Sequence, residues 1–110
     1  MTDERRTHPR VPLSIDGRWQ GPAGASLCRM VNLSEGGCYA RTPTPPAVDD
    51  PLMLTLFFAG SGAMLLTGRV AHGEPGVGFG MQFGEIPPEA RYRLGEEIAR
   101  GRRQVRRTLP

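Results

Sequence analysis

Hydrophobic residues recur at every second position over most of this chain. Val11, Leu13, Ile15, Gly17 and Trp19 alternate with Pro12, Ser14, Asp16, Arg18 and Gln20, the period-two pattern of a half-buried strand. Gly21-Pro22-Ala23-Gly24 is a turn, and a second strand over 26–33 carries a mixed alternation. Ser34-Glu35-Gly36-Gly37 turns the chain into a short return strand that opens on Cys38-Tyr39-Ala40-Arg41. Thr42-Pro43-Thr44-Pro45-Pro46 then breaks it into a loop. In the fourth strand Leu52, Leu54, Leu56 and Phe58 face one way, with Met53, Thr55 and Phe57 opposite. Ala59-Gly60-Ser61-Gly62 reads as a hairpin loop into a fifth strand over 64–72. After Gly73-Glu74-Pro75-Gly76, the residues Val77, Phe79, Met81 and Phe83 interleave with Gly78, Gly80 and Gln82. Six short strands between turn signals predict a mainly β fold, a closed antiparallel barrel.

The period changes near the end. Pro87-Pro88 stand where prolines open a helix, and Ala90, Leu94 and Ile98 recur every fourth residue, one helical face laid against the barrel. Residues 1–10 form a polar, Arg-rich segment without apolar periodicity, which predicts a flexible arm. Arg100, Arg102, Arg103, Arg106 and Arg107 crowd the other end. The expected organisation is therefore an arm over 1–10, a barrel with its helix over 11–100, and a basic tail over 101–110.

Length and composition narrow the class. At 110 residues the chain has room for one domain. Its 15 Gly and 11 Pro suit many turns and short strands more than a helix bundle. The net charge is only +3, but all 14 basic residues are Arg. Coding bias in a GC-rich genome accounts for such usage, and Arg also suits planar, bidentate recognition of phosphate and guanine. Cys28 and Cys38 have neither C-x-x-C spacing nor a neighbouring His cluster, which argues against a zinc site. The N-terminal Met-Thr-Asp-Glu-Arg-Arg lacks the apolar core of a signal peptide, and no apolar run approaches membrane-spanning length. The expectation is a cytoplasmic protein with reduced thiols and no membrane insertion.

Two short motifs carry the chemistry. Arg5-Arg6-Thr7-His8-Pro9-Arg10 reads R-x-x-x-R through Arg6 and Arg10, just before the first strand. Asn32-Leu33-Ser34-Glu35-Gly36-Gly37 reads N-x-S-x-x-G at the second turn. R-x-x-x-R alone is weak in a chain this rich in Arg, since Arg102/Arg106 and Arg103/Arg107 match it too. In this order, ahead of six strands and a helix, the pair resembles the signature of the PilZ domain family. That resemblance spans Arg5 to about Ile98. It implies a six-stranded antiparallel PilZ-type β-barrel with a C-terminal α-helix, and cyclic di-GMP as the ligand.

The resemblance casts Arg6 and Arg10 as the ligand-gripping arginines, with Arg5 extending the cluster. Cyclic di-GMP offers two guanines, whose O6/N7 edge one guanidinium can grip with two bonds, and two phosphates for another. Without the second motif, these arginines would read as a solvated basic arm. Asn32 and Ser34 are cast both as shaping the turn and as bonding the nucleotide; as residue types alone, they read as ordinary turn chemistry. Asn32 stands where the family often has Asp, so a carboxylate that could hold an Arg is missing. Gly36 and Gly37 complete the turn, Gly37 allowing either a positive φ or close approach of the ligand. His72 stands at a strand end where relatives often carry an aromatic that packs on guanine; it reads equally as an ordinary strand-end histidine. The resemblance further implies a stand-alone receptor, binding one nucleotide or a stacked pair, that changes conformation and signals to a downstream protein controlling motility, pili, exopolysaccharide or virulence. Arg5 beside Arg6 favours the pair.

Gly76-Val77-Gly78-Phe79-Gly80 lacks the third glycine and the strand-turn-helix setting of a dinucleotide loop; these glycines suit close packing within the barrel. No Ser or Cys has a credible base partner, and the only histidines are His8 and His72, so the chain is expected to be a non-enzyme without a cofactor. Two other readings stay open: a barrel that works as a protein-interaction adaptor without nucleotide, and a nucleic-acid binder using the C-terminal arginines. Few aromatics are available for base stacking, which argues against the second.

Overall fold

The computed structural model describes residues 11–60 and 62–108, with side chains as far as Gly101. The expected arm, with Arg5, Arg6 and Arg10, lies outside the described residues. Six strands follow in order: β1 (Val11–Gly21), β2 (Gly24–Leu33), β3 (Gly37–Arg41), β4 (Pro51–Phe58), β5 (Gly62–Glu74) and β6 (Gly78–Phe83). All neighbours pair antiparallel, and the sheet closes on itself in the order β1-β2-β3-β6-β5-β4. The predicted mainly β barrel is what forms.

The alternation read from the sequence becomes the inside and outside of this barrel. Leu52, Leu54, Leu56 and Phe58 of β4 are buried, with Met53 and Phe57 exposed between them. Phe79, Met81 and Phe83 of β6 are buried in the same core as Trp19 of β1, whose ring meets that of Phe79 edge to face at 6.4 Å. Closure covers every strand edge, which lets a chain of this length bury a continuous core. Both cysteines lie buried within it as thiols. Desolvation pushes the Cys28 thiol up to about 11, so it stays a neutral core group.

Helix α1 (Pro88–Thr108) begins at the predicted prolines, Arg91 N–H bonding the Pro87 carbonyl. It buries Leu94 and Ile98 against the barrel, with Ala90 packed beside them. A Cβ on Gly101 would lie 2.5 Å from Leu13 Cδ2 and 3.0 Å from Val11 Cγ1, so the glycine lets the helix lie directly on the start of β1. The helix continues over residues 101–108, where the sequence pattern sets apart a tail. Its Arg and Gln residues are good helix formers, and after Gly101 neither glycine nor proline intervenes before Thr108. No helix among the described residues is long and apolar enough to cross a membrane.

Candidate ligand-binding site

Two of the three register shifts in the sheet build the site; the third lies in β1, between Pro12 and Ile15. Alternation from buried Met30 would turn Asn32 inward, and alternation from buried Val70 would do the same to His72. Neither happens. Against β3, β2 passes from Met30↔Ala40 to Asn32↔Tyr39; against β6, β5 passes from Val70↔Met81 to His72↔Gly80. Each bulged strand spends two residues where its partner spends one, and a one-residue slip exchanges the two faces of a strand. Asn32 and His72 are thereby carried to the outside, while Leu33 stays buried. The mixed alternation of β2 in the sequence is the trace of this bulge.

The pairings now line up as one row across five strands: Pro12, Asn32, Tyr39, Gly80 and His72. From Asn32 to His72 the row crosses three strand spacings, about 14 Å. Gly80, at its centre, has no side chain to separate its neighbours. The His72 ring lies over it, so close that a Cβ there would sit 2.2 Å from His72 Cε1. Tyr39 leans in from the other side, and the two rings stack at 5.9 Å with 23° between their planes. The next outward row holds Arg41, Gly78 and Glu74. Gly78 is as tightly placed, its missing Cβ 2.3 Å from the Ala40 carbonyl oxygen and 2.9 Å from the Tyr39 hydroxyl. The expectation of close packing holds for Gly78 and Gly80, whereas Gly76 has a positive φ and open space around it, as a turn glycine does.

The Tyr39 hydroxyl donates to the Glu74 carboxylate. Desolvation and then this bond push the phenol up to about 12, with Arg41 opposing, so Tyr39 keeps its proton and remains a donor. Sequence reasoning missed both residues. Tyr39 could have been found, since period two from buried Cys38 turns it outward beside the Asn32 motif. Glu74 could not, because the bulge in β5 extends the strand through what reads as a turn.

The turn beside this row belongs to Ser34. Its hydroxyl accepts from the backbone N–H of Gly36 and of Gly37, both at 3.2 Å, and donates to the Gly37 carbonyl at 3.2 Å. The Ser34 N–H bonds that carbonyl too, at 2.9 Å, and the Gly36 carbonyl accepts from Phe83 N–H of β6. Ser34 is 3% exposed, so of the two roles expected of it the visible one is holding the turn. Gly37 is buried at the start of β3; the glycines with positive φ are Gly24, Gly60, Gly62 and Gly76, so the positive φ offered for Gly37 is not used. Beyond Gly37, Gln82 and Arg69 continue the outer face and line a cleft of about 530 Å³ with Thr67, Gly68, Phe83 and Gly84.

Ser34→Ala is expected to leave the Gly36 and Gly37 amides without their acceptor and to cost about 1–3 kcal/mol. Urea unfolding of the two proteins measures this; a loss under about 0.3 kcal/mol would show that the turn does not depend on the hydroxyl.

The structure therefore brings Asn32, Ser34, Gly36, Gly37 and His72 to one side of the barrel, and Pro12 brings the start of β1 to the same place. Known proteins share this arrangement of strands. The PilZ domain of YcgR from Escherichia coli, solved with cyclic di-GMP, superposes with TM-score 0.80 at 15% identity over 94% of this chain and 95% of its own. The K. pneumoniae MrkH–cyclic di-GMP complex gives 0.80 at 21% identity, with 96% of this chain covered. MotI/DgrA, the inhibitor of motility of Bacillus subtilis, gives 0.68 at 16% over 93% of this chain. The chain spans about half the length of these last two, 55% and 52%. At these identities the likeness is one of fold. No curated protein sequence matches. The family model of the PilZ domain matches residues 4–100, and the chain belongs to the PilZ domain family.

Proposed function

We propose that this domain is a receptor for cyclic di-GMP, with a binding and signalling role and no catalysis of its own. The observation that carries the reading is the outward row from Asn32 to His72, which two bulges and a bare Gly80 turn into a flat polar and aromatic surface. Aromatic faces take bases by stacking, and short polar side chains take base edges or phosphates. Arg10 is tethered two residues before Pro12, which pairs with Asn32, so about 7 Å of chain separates it from the row. Arg5, Arg6 and Arg10 supply the cations that a dianionic ligand needs. Asn32 bonds the nucleotide, Ser34 holds Gly36 and Gly37 in the turn beneath it, and His72 stacks on a guanine. The segment 1–10 acts as the arm that closes over the ligand, against a barrel and helix over 11–100 and a basic segment over 101–110. That closure changes the surface offered to a downstream protein, in the cytoplasm where the nucleotide acts. YcgR and MrkH, which share the fold, were solved with the same ligand.

Amide shift mapping on 15N-labelled protein tests the placement. Cyclic di-GMP is expected to move the signals of Asn32, Tyr39, Gly80 and His72, and to leave those of Leu54 and Leu66 in place. Shifts gathered on the β4–β5 hairpin, or none, would contradict it.

A further inference from the structure

We propose that the Glu74 carboxylate, held by the Tyr39 phenol, reads the Watson–Crick edge of a guanine stacked on His72 and so selects guanine over other bases. The inference rests on the receptor reading above. Three observations support it.

The first is placement. Glu74 is exposed and pairs with Gly78, one outward position beyond the His72↔Gly80 pair. Along a strand that step is about 7 Å, comparable to the reach of a purine from its stacked ring to its far edge. The His72 ring and the Tyr39 hydroxyl cover Gly80 and Gly78, and His72 is itself exposed, so a base stacks on the face of His72 that they leave free, with Glu74 beside it.

The second is chemistry. A carboxylate only accepts, and it has about four lone-pair positions. One oxygen takes the Tyr39 hydroxyl, which fixes the direction of the group. The remaining positions suit two parallel donors, and guanine presents these as N1–H and the 2-amino group. Hypoxanthine lacks the amino group, and adenine presents an acceptor at N1, which would face the carboxylate with its lone pair.

The third is charge. Among the described residues Glu74 forms no ion pair. A carboxylate repels phosphates, which turns the ligand's phosphates away from Glu74 and leaves a base edge there.

Competition binding with cyclic di-GMP and with cyclic di-IMP, its analogue without the 2-amino groups, separates the possibilities. The native protein is expected to prefer cyclic di-GMP by about tenfold or more. Glu74→Gln, an exposed substitution, is expected to lower cyclic di-GMP affinity about tenfold and that for cyclic di-IMP by less than threefold, so the preference collapses. Tyr39→Phe keeps the ring stacked on His72 but frees the carboxylate, and a partial loss of preference is expected. If the folded native protein binds neither nucleotide, the receptor reading fails and takes this inference with it. If the native protein binds cyclic di-GMP and Glu74→Gln leaves the preference within twofold, or raises the affinity, this inference alone is overturned.

Discussion

Arg10→Ala is expected to lower the affinity for cyclic di-GMP by roughly thirtyfold or more, since removing one partner of a desolvated charge pair costs about 2–5 kcal/mol and each 1.4 kcal/mol is tenfold. The reason is geometric as well as electrostatic. A guanidinium matches the O6/N7 edge of guanine, or two phosphate oxygens, with two parallel bonds. An ammonium is a single point charge, so Arg10→Lys should recover only a small part of the loss. The row from Asn32 to His72 contains no arginine, and Arg41 stands one position farther out, so under the proposed reading Arg10 and its neighbours meet most of the ligand's two negative charges. The check is direct titration of the three proteins after thermal unfolding has shown all of them folded. Equal affinity for native protein and Arg10→Ala would remove the arm from the site.

Gly68→Ala is expected to destabilise the barrel by roughly 3 kcal/mol, the upper end of overpacking costs, and to lower Tm by about 12 °C or more. A Cβ at Gly68 would lie 2.0 Å from the Gln82 carbonyl oxygen and 2.9 Å from Phe83 Cα. Both are backbone atoms of the neighbouring strand, so no side chain can rotate away to make room. The two strands would have to separate where Gly84 N–H bonds the Thr67 carbonyl, and the barrel would lose closure at that point. Gly95→Ala is the matching control. It lies in α1 with open space around the position of a Cβ, and alanine in a helix interior gains about 0.5–1 kcal/mol over glycine. Trp19, the only tryptophan, sits in the core and reports both transitions by fluorescence. Equal stability of Gly68→Ala and the native protein would show that β5 and β6 tolerate separation.

Which parts of this were legible in the sequence follows from what periodicity can encode. Leu52 to Phe58 and Phe79 to Phe83 keep an unbroken alternation, so their inward faces could be read off directly. The prolines opening α1 and the spacing of Leu94 and Ile98 were equally plain. The bulges could not be placed, because a mixed alternation such as that of β2 marks an irregularity and only the partner strand shows which residue is unpaired. With the bulges went the faces of Asn32 and His72, the extension of β5 to Glu74, and the pairing of Tyr39 with Gly80. The motif marked the Ser34 turn but not the division of labour within it, since a hydroxyl that accepts from two amides and one that meets a ligand are the same residue type. The helical course of residues 101–108 was missed for a different reason: a run of arginines has no apolar face to give its period away.

Calorimetric titration of the native protein with cyclic di-GMP tests the central claim most directly. The account predicts saturable heat at one or two nucleotides per chain, undiminished by equimolar GMP. A folded protein that gives no heat would contradict the receptor reading and leave the protein-interaction adaptor as the better account of this barrel.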